Sequence, residues 1–326
     1  MNKLELTSAI KQAALDLGFT KAGVTSAAPF DEAADRLDAW VRSGANGVMS
    51  YMERRHEKRR DVKNILPGAK SILSLALNYY YEPVGRTLSP SSEKDGLRAR
   101  PTKESVPLKI SRYARGDDYH DVIGGMLEKL LAEIKIIVPH AEGRYYVDTG
   151  PVLEKAVAER AGVGWIGKHT NVIARELGSW IFLSEIILNL DLEPDLPAGD
   201  LCGTCNLCIE ACPTDAITAP YQLDATKCIS YLTIELKPQN EIVPELARNM
   251  EGWLYGCDIC QDVCPWNRFA SQTPISAFAP REENLSLTKE KIEVMEQEEF
   301  SKRFRKSPVK RTKLAGLKRN VKAMNS

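Results

Sequence analysis

The stretch that decides how this chain is read is Cys202-Gly-Thr-Cys205-Asn-Leu-Cys208-Ile-Glu-Ala-Cys212-Pro213, followed after a lone Cys228 by Cys257-Asp-Ile-Cys260-Gln-Asp-Val-Cys264-Pro265. All eight cysteines of the 326-residue chain fall within it. The first run has the spacing C-x2-C-x2-C-x3-C-P, in which three thiolates hold one 4Fe–4S cluster and the fourth reaches across to another. The second run, C-x2-C-x3-C-P, repeats that ending. Cross-over ligation assigns Cys202, Cys205, Cys208 and Cys264 to one cluster, and Cys212, Cys228, Cys257 and Cys260 to the other. Cys228 is the irregular member, standing alone where a ferredoxin places a closer set. Four disulfides would suit a short secreted chain. Structural zinc favours two separated C-x-x-C pairs over an unbroken triplet. Neither describes this spacing.

Working outward, the length fits two domains, or one large domain with an insertion. No apolar run reaches the roughly 20 residues that a membrane span needs. Met1-Asn-Lys-Leu-Glu-Leu carries no apolar signal-peptide region, so with its reduced thiols the chain is expected in the cytoplasm. The formal net charge is zero, which removes any global argument for polyanion binding. Charge is nevertheless segregated. Residues 282–299 hold seven Glu against two Lys, whereas residues 302–322 hold ten Lys or Arg and no acid. The basic block reads either as a solvated helix face or as a surface for a phosphodiester backbone. Phe304, Leu314, Leu317 and Val321 are spaced so that one side can still pack on the body. Met52–Lys63 is equally dense in charge and carries the same two readings, a solvated helical face or a phosphate-facing patch.

Residues 1–190 alternate helical and strand-like patterns, which indicates an α+β or α/β layer domain. Helices are expected over 4–18, 31–43, from about 120 to 137, and over 152–161. Strands are expected over 19–25, 69–78, 143–149, 171–174 and 179–190. The low-hydrophobicity segment Glu82–Pro107 reads as a mobile lid or a disordered insertion. Gly162-Val-Gly164-Trp-Ile-Gly167 matches G-x-G-x-x-G, with Glu185 near the offset of a ribose-binding acid. A dinucleotide site needs a strand before those glycines and a helix after them. Here the order is reversed, so the glycines instead let backbone approach some other large ligand. Asp148 ends an apolar strand just before Thr-Gly-Pro. It could cap the following helix, or serve as a general acid if partial burial keeps it protonated.

Beyond these patterns, the chain resembles a known family. The cysteine framework, Cys228-Ile-Ser-Tyr-Leu, Tyr255–Asn267, Val147–Pro151, Ala158–Lys168, Arg115–His120 and Ser307–Asn320 together resemble the epoxyqueuosine reductases. The resemblance implies reduction of the epoxide of epoxyqueuosine at the tRNA wobble position, by base-off cobalamin fed through the two clusters. The implied fold is an α+β cobalamin-binding domain, like nitroreductases and reductive dehalogenases, joined to a bacterial ferredoxin-like module. Boundaries are set at 1–195, 196–270 and 271–326, without the helical-repeat extension of some members. Asp148 becomes the implied proton donor. Arg59, Asp148, Lys168, His169, Val172, Ser230, Gly256, Cys257, Asp258, Ile259 and Cys260 become the implied cobalamin lining. Arg54, Arg55, Lys310, Arg311, Lys313, Lys318 and Arg319 become the implied tRNA contacts. Implied partners are the anticodon stem-loop and an external low-potential donor of the flavodoxin or ferredoxin type, with the enzyme a monomer. Two rivals stand beside this reading. One is a dehalogenase-like corrinoid reductase of a small molecule, a group usually exported with a twin-arginine signal that this chain does not show. The other is a non-catalytic electron carrier.

Overall fold

The computed structural model describes residues 1–81 and 106–325, so most of the Glu82–Pro107 expectation lies outside the described residues. The centre is a four-stranded sheet of β1 (Lys21–Ser26), β2 (Ser71–Asn78), β3 (Gly143–Tyr146) and β4 (Ile181–Leu188), in the spatial order β1-β2-β4-β3. Every neighbouring pair is antiparallel. The inner strand β2 is buried along its whole length, which is why its sequence, SILSLALN, reads as a nearly continuous apolar run.

Side chains alternate between the two faces. On one face Leu73, Leu75, Leu77, Phe182, Ile186 and Leu188 meet α1 (Lys3–Asp16) and α3 (Tyr119–Ile137) through Ile10, Ala14, Ile123, Leu127, Leu130 and Ile134. On the other face Ile72, Ala76, Ile181, Leu183 and Ile187 meet α4 (Glu154–Arg160) through Val157 and Ala158. The α2 helix (Asp31–Arg42) lies between β1 and β2 in sequence. Helix starts are fixed locally. Asn2 and Glu5 form a reciprocal capping box on α1. The Asp118 carboxylate accepts the His120 N–H at the start of α3, which pins His120 in the first turn.

The cysteine segment is not a separate bead. Lys109–Ile110 pairs in parallel with Trp253–Tyr255, and a shared core joins Leu108, Ile110, Leu254 and Tyr255 to Leu287, Ile292, Phe300 and Phe304. That core also holds Leu314, Leu317 and Val321 of α6 (Lys313–Met324), so the basic block packs its apolar side as its spacing predicted. The α5 helix (Ile229–Ile234) packs between α6 and Trp40, Val48 and Met49 of the N-terminal half.

Several elements differ from expectation. Within Met52–Lys63 the helix covers only His56–Arg60, because Arg55 adopts a left-handed φ of 61° and interrupts it. The strand expected over 143–149 stops at Tyr146, because Asp148 has φ 56° and turns the chain. Gly162–Gly167 follows helix α4 and carries the first strand, Trp165–Ile166, of a hairpin completed by Val172–Ile173. That is the order which argues against a dinucleotide loop, and Glu185 lies wholly buried in β4.

Candidate active site

The eight thiols gather in two sets. Cys208 faces Cys264, Cys202 and Cys205, and Cys264 in turn faces Cys202 and Cys205. Cys257 faces Cys228 and Cys212, and Cys260 faces Cys228 and Cys257, with Cys208 on its far side. In the fold, thiols from the same expected quartet are brought near one another, and Cys260 also feels the charge of Cys208. Burial pushes the Cys208 thiol up to about 11, so an iron bound there would have to offset the cost of burying its thiolate. No three His, Cys, Asp or Glu side chains among the described residues are gathered as a chelate for one metal ion. Thiolates around a cubane stand wider apart than the ligands of a single ion.

The loop of the first set is held from below. Lys168 Nζ donates to Gly203 O at 2.8 Å, Cys205 O at 3.0 Å and Asn206 Oδ1 at 3.0 Å. Trp165 and Trp266 pack edge to face beside Cys202 and Cys264. The second set opens onto a cavity of about 380 Å³, lined by Cys212, Cys228, Cys257, Ile259 and Cys260 on one side and Tyr119, Asp148, Phe182 and Val172 on the other. It adjoins a cleft of about 950 Å³ with Arg36, Arg54, Arg55, Arg59 and Arg311 in its walls. Asp148, Glu154, Lys155 and Ser230 belong to both.

Asp148 sits at the junction. Its Oδ2 accepts a hydrogen bond from Tyr119 Oη at 2.7 Å, and lies 3.5 Å from His120 Nε2 and 3.8 Å from Arg311 Nη1. His120 Nδ1 is 2.8 Å from Asp118 Oδ1. Burial alone would raise the Asp148 pKa, but the nearby His120, the Tyr119 hydrogen bond and the charge of Arg311 outweigh it and lower it. Burial pulls His120 down, yet Asp118 and Asp148 raise it from 6.5 to about 9. Of the readings that the sequence leaves open for Asp148, protonation by burial is the one these neighbours work against. These neighbours favour the ionised carboxylate at Asp148 and the protonated ring at His120. The left-handed backbone at Asp148 needs support. Gly150 gives room for it, since a Cβ there would lie 2.4 Å from Tyr146 Cδ1.

Of the expected lining, His169, Val172, Ser230, Cys257, Ile259 and Cys260 face the cavity. His169 is buried with Nε2 unpartnered, and its Nδ1 accepts from Asn171 N. Burial lowers the His169 pKa to about 4, so its ring is neutral. Three expected residues line neither cavity. Lys168 braces the cysteine loop. Gly256 is pressed against Ser111, with its N–H given to Thr233 Oγ1. Asp258 is fully buried and accepts from Ser111 Oγ, Arg112 N and Arg112 Nη1. Arg59 touches the cleft, but its guanidinium donates to the carbonyls of Tyr51, Met52 and Arg54.

Among the expected RNA contacts, Arg54 and Arg55 are exposed in the cleft wall, Lys310 is exposed in the turn before α6, and Lys313 is exposed at its start. Lys318 is half-buried. Arg311 is spread between Asp148 and Glu235, 3.2 Å from the latter. Arg319 is a correction. It is buried, and donates to the carbonyls of Leu232, Leu236, Lys237 and Asn240 at the end of α5. Sequence reasoning assigned no role to Tyr119, His120, Glu154 or Lys155, although Asp117-Asp118-Tyr119-His120 was visible as a motif and Glu154 lies six residues past Asp148.

Fold and site together define an iron–sulfur oxidoreductase, in which an α+β domain sets a carboxylate against a double-cluster module. A family model described as 4Fe-4S double cluster binding domain matches residues 201–267, and one described as Epoxyqueuosine reductase QueG, DUF1730 matches residues 59–149. An epoxyqueuosine reductase of Cellulophaga algicola is 46% identical over 96% of this chain and 95% of its own length. One of Synechocystis is 45% identical over 90% of this chain and 95% of its own. A crystal structure of epoxyqueuosine reductase with an epoxyqueuosine-modified tRNA-Tyr stem loop superposes with a TM-score of 0.85 at 33% identity, covering 98% of this chain and 80% of that one. The chain belongs to the epoxyqueuosine reductase family. No helix among the described residues is long and apolar enough to cross a membrane.

Proposed function

We propose that this protein reduces the epoxide of epoxyqueuosine in a tRNA anticodon loop to the alkene of queuosine. The carrying observation is that Asp148 and the cysteines of the second set line one cavity, which opens into an arginine-walled cleft. A wobble nucleotide extruded from its loop would enter there, as enzymes that act on single bases require, while the cleft faces the phosphate backbone.

Two protons and two electrons convert an epoxide to an alkene and water. Electrons enter from a low-potential flavodoxin- or ferredoxin-type donor and pass through the two clusters. The cavity and the cleft it adjoins offer walls suited to a large ring system. Val172, Ile181, Phe182, Leu183 and Ile229 give it apolar walls, and Ser230 and the unpartnered Nε2 of buried His169 provide polar contacts. Cobalamin is the group assigned to it, with His169, Val172, Ser230 and Ile259 as its holding residues. When bound, it supplies reducing power that no side chain reaches. Asp148 passes a proton from the His120 side to the opening epoxide oxygen, Tyr119 orients the carboxylate, and Arg311 holds the developing charge. Arg54, Arg55, Lys310 and Lys313 contact the RNA backbone. The three segments 1–195, 196–270 and 271–326 act as catalytic body, electron relay and RNA-facing extension of a cytoplasmic monomer.

The test is anaerobic reconstitution with iron, sulfide and cobalamin, followed by nucleoside mass spectrometry of an epoxyqueuosine-containing anticodon stem-loop. The wild type should yield queuosine. Asp148→Asn should bind cobalamin and RNA as before, and lose roughly 10²-fold or more in turnover. Unchanged turnover in that variant would remove Asp148 from proton transfer.

A further inference from the structure

Between α4 and the sheet lies a group of polar atoms in an otherwise apolar layer. Glu185 projects from β4 between Leu183 and Ile187, is 0% exposed, and has neither carboxyl oxygen partnered. Its antiparallel register partner on β2 is Ser74, whose buried hydroxyl is also unpartnered. Directly paired residues place their Cβ atoms about 5 Å apart. From above, α4 presents Glu154, Val157 and Ala158 at helical spacing. The last two pack on this face of the sheet, so Glu154 points the same way. Glu154 Oε1 is buried without a partner, and the residue lines both cavities.

An ionised carboxylate in such a place would need compensating donors or cations. The titratable groups facing Glu154 are Asp148, Lys155, His120, Tyr119 and Glu185. Those facing Glu185 are Glu154 and Asp148. The neighbouring cation Lys155 is exposed, and donates to Thr170 O at 2.7 Å and to Asn171 Oδ1 at 3.4 Å, not to either glutamate. Burial, followed by the charges of the neighbouring carboxylates, raises both glutamates above the ordinary 4.5. Geometry and chemistry agree that the pair carries proton rather than charge at neutral pH.

We propose that Glu154 and Glu185 form an internal proton store that recharges Asp148, acting through it as proton-supplying, positioning residues. The proposal rests on the reductase function proposed above. The balance requires such a store. Breaking both C–O bonds of the epoxide consumes two electrons, from the flavodoxin- or ferredoxin-type donor through the clusters, and two protons, and releases water. Asp148 delivers one proton at a time and is itself ionised at rest. One proton comes from His120. The other moves from Glu154 to Asp148, and Glu185 then reprotonates Glu154. Two neighbouring carboxyls, Glu185 fully buried in the sheet and Glu154 at the cavity wall, hold that supply while the RNA covers the cleft.

The test begins with a readout independent of turnover. Infrared spectra of the reconstituted full-length protein at pH 7 should show a protonated-carboxyl stretch that moves on 13C-glutamate labelling and in D2O. The stretch should diminish in Glu154→Gln and Glu185→Gln. Both changes keep the size of the side chain and cannot yield a proton. Each should lower kcat roughly 10²-fold, leave RNA affinity within about twofold, and remove an ionisation from the alkaline limb of the pH profile. Glu154→Asp should recover part of the rate. A spectrum without protonated glutamate at pH 7 overturns the proposal, and labelled wild type decides this even if a variant fails to fold. Gln variants with wild-type kcat and pH profile overturn it equally. A wild type that leaves the epoxide intact sinks the reductase reading, while the infrared band still decides whether the pair stores a proton.

Discussion

Asp148 illustrates how far one residue can be read before its neighbours are known. Its sequence position allows a helix cap or an acid, and the family resemblance favours the acid. Its resting ionisation is hidden at that level, because it depends on Tyr119, His120 and Arg311, which lie far apart in the chain and converge only in the fold. The partner histidine carries a testable consequence. A group whose pKa rises on folding binds its proton more tightly when folded. Its stabilisation is complete below the unfolded value of 6.5 and fades as pH climbs through about 9. His120→Gln should therefore cost about 1–2 kcal/mol at pH 6 and little at pH 10, after allowance for partial exposure. Urea midpoints at the two pH values measure the difference. An equal loss at both would show that His120 acts through packing alone.

At the scale of elements, alternation and periodicity locate the four sheet strands and the long helix α3 to within a few residues, because those segments bury whole faces. The short pieces are less legible, since their limits are set by neighbours distant in sequence. Arg55 breaks the charged helix, and Arg59 is drawn inward to three backbone carbonyls, neither of which a charge pattern reports. Close approach of α4 to β1 is another such feature. A Cβ on Gly23 would stand 2.1 Å from Ala161 O. Arg160 at the end of α4 closes the same interface, donating to Ser26 O, Ala28 O and Pro29 O while its guanidinium lies 3.4 Å from the Phe30 ring centroid. Backbone on the far side cannot yield as a flexible side chain would. Gly23→Ala should thus cost about 1–3 kcal/mol, read as a lower urea midpoint with an unchanged slope. A neutral result would mean that α4 slides freely on the sheet.

For the whole molecule, the cysteine pattern is the most legible feature, since ligand spacing is local and its chemistry narrow. The C-terminal segment is legible only in part. Its apolar spacing predicts packing, but charge alone does not separate cations that face solvent from one that holds the body together. Arg319 belongs to the second kind. Burial lowers its pKa to about 10, and its fork satisfies the carbonyls that end α5 and the turn beyond it, beside Asn320, which ties Thr233 O to Leu254 O. Lys310 and Lys313 make no such bonds and stand exposed. The two kinds should separate cleanly by experiment. Arg319→Ala leaves several buried carbonyls unpaired, and should lower stability by about 3 kcal/mol or more. Lys310→Ala and Lys313→Ala should leave the urea midpoint within about 0.5 kcal/mol, weaken anticodon RNA binding, and flatten its log–log salt dependence by close to one unit for each lysine removed. A salt slope unchanged in both lysine variants would place the RNA elsewhere on the surface, with the arginine wall at Arg54 and Arg55 the next face to probe.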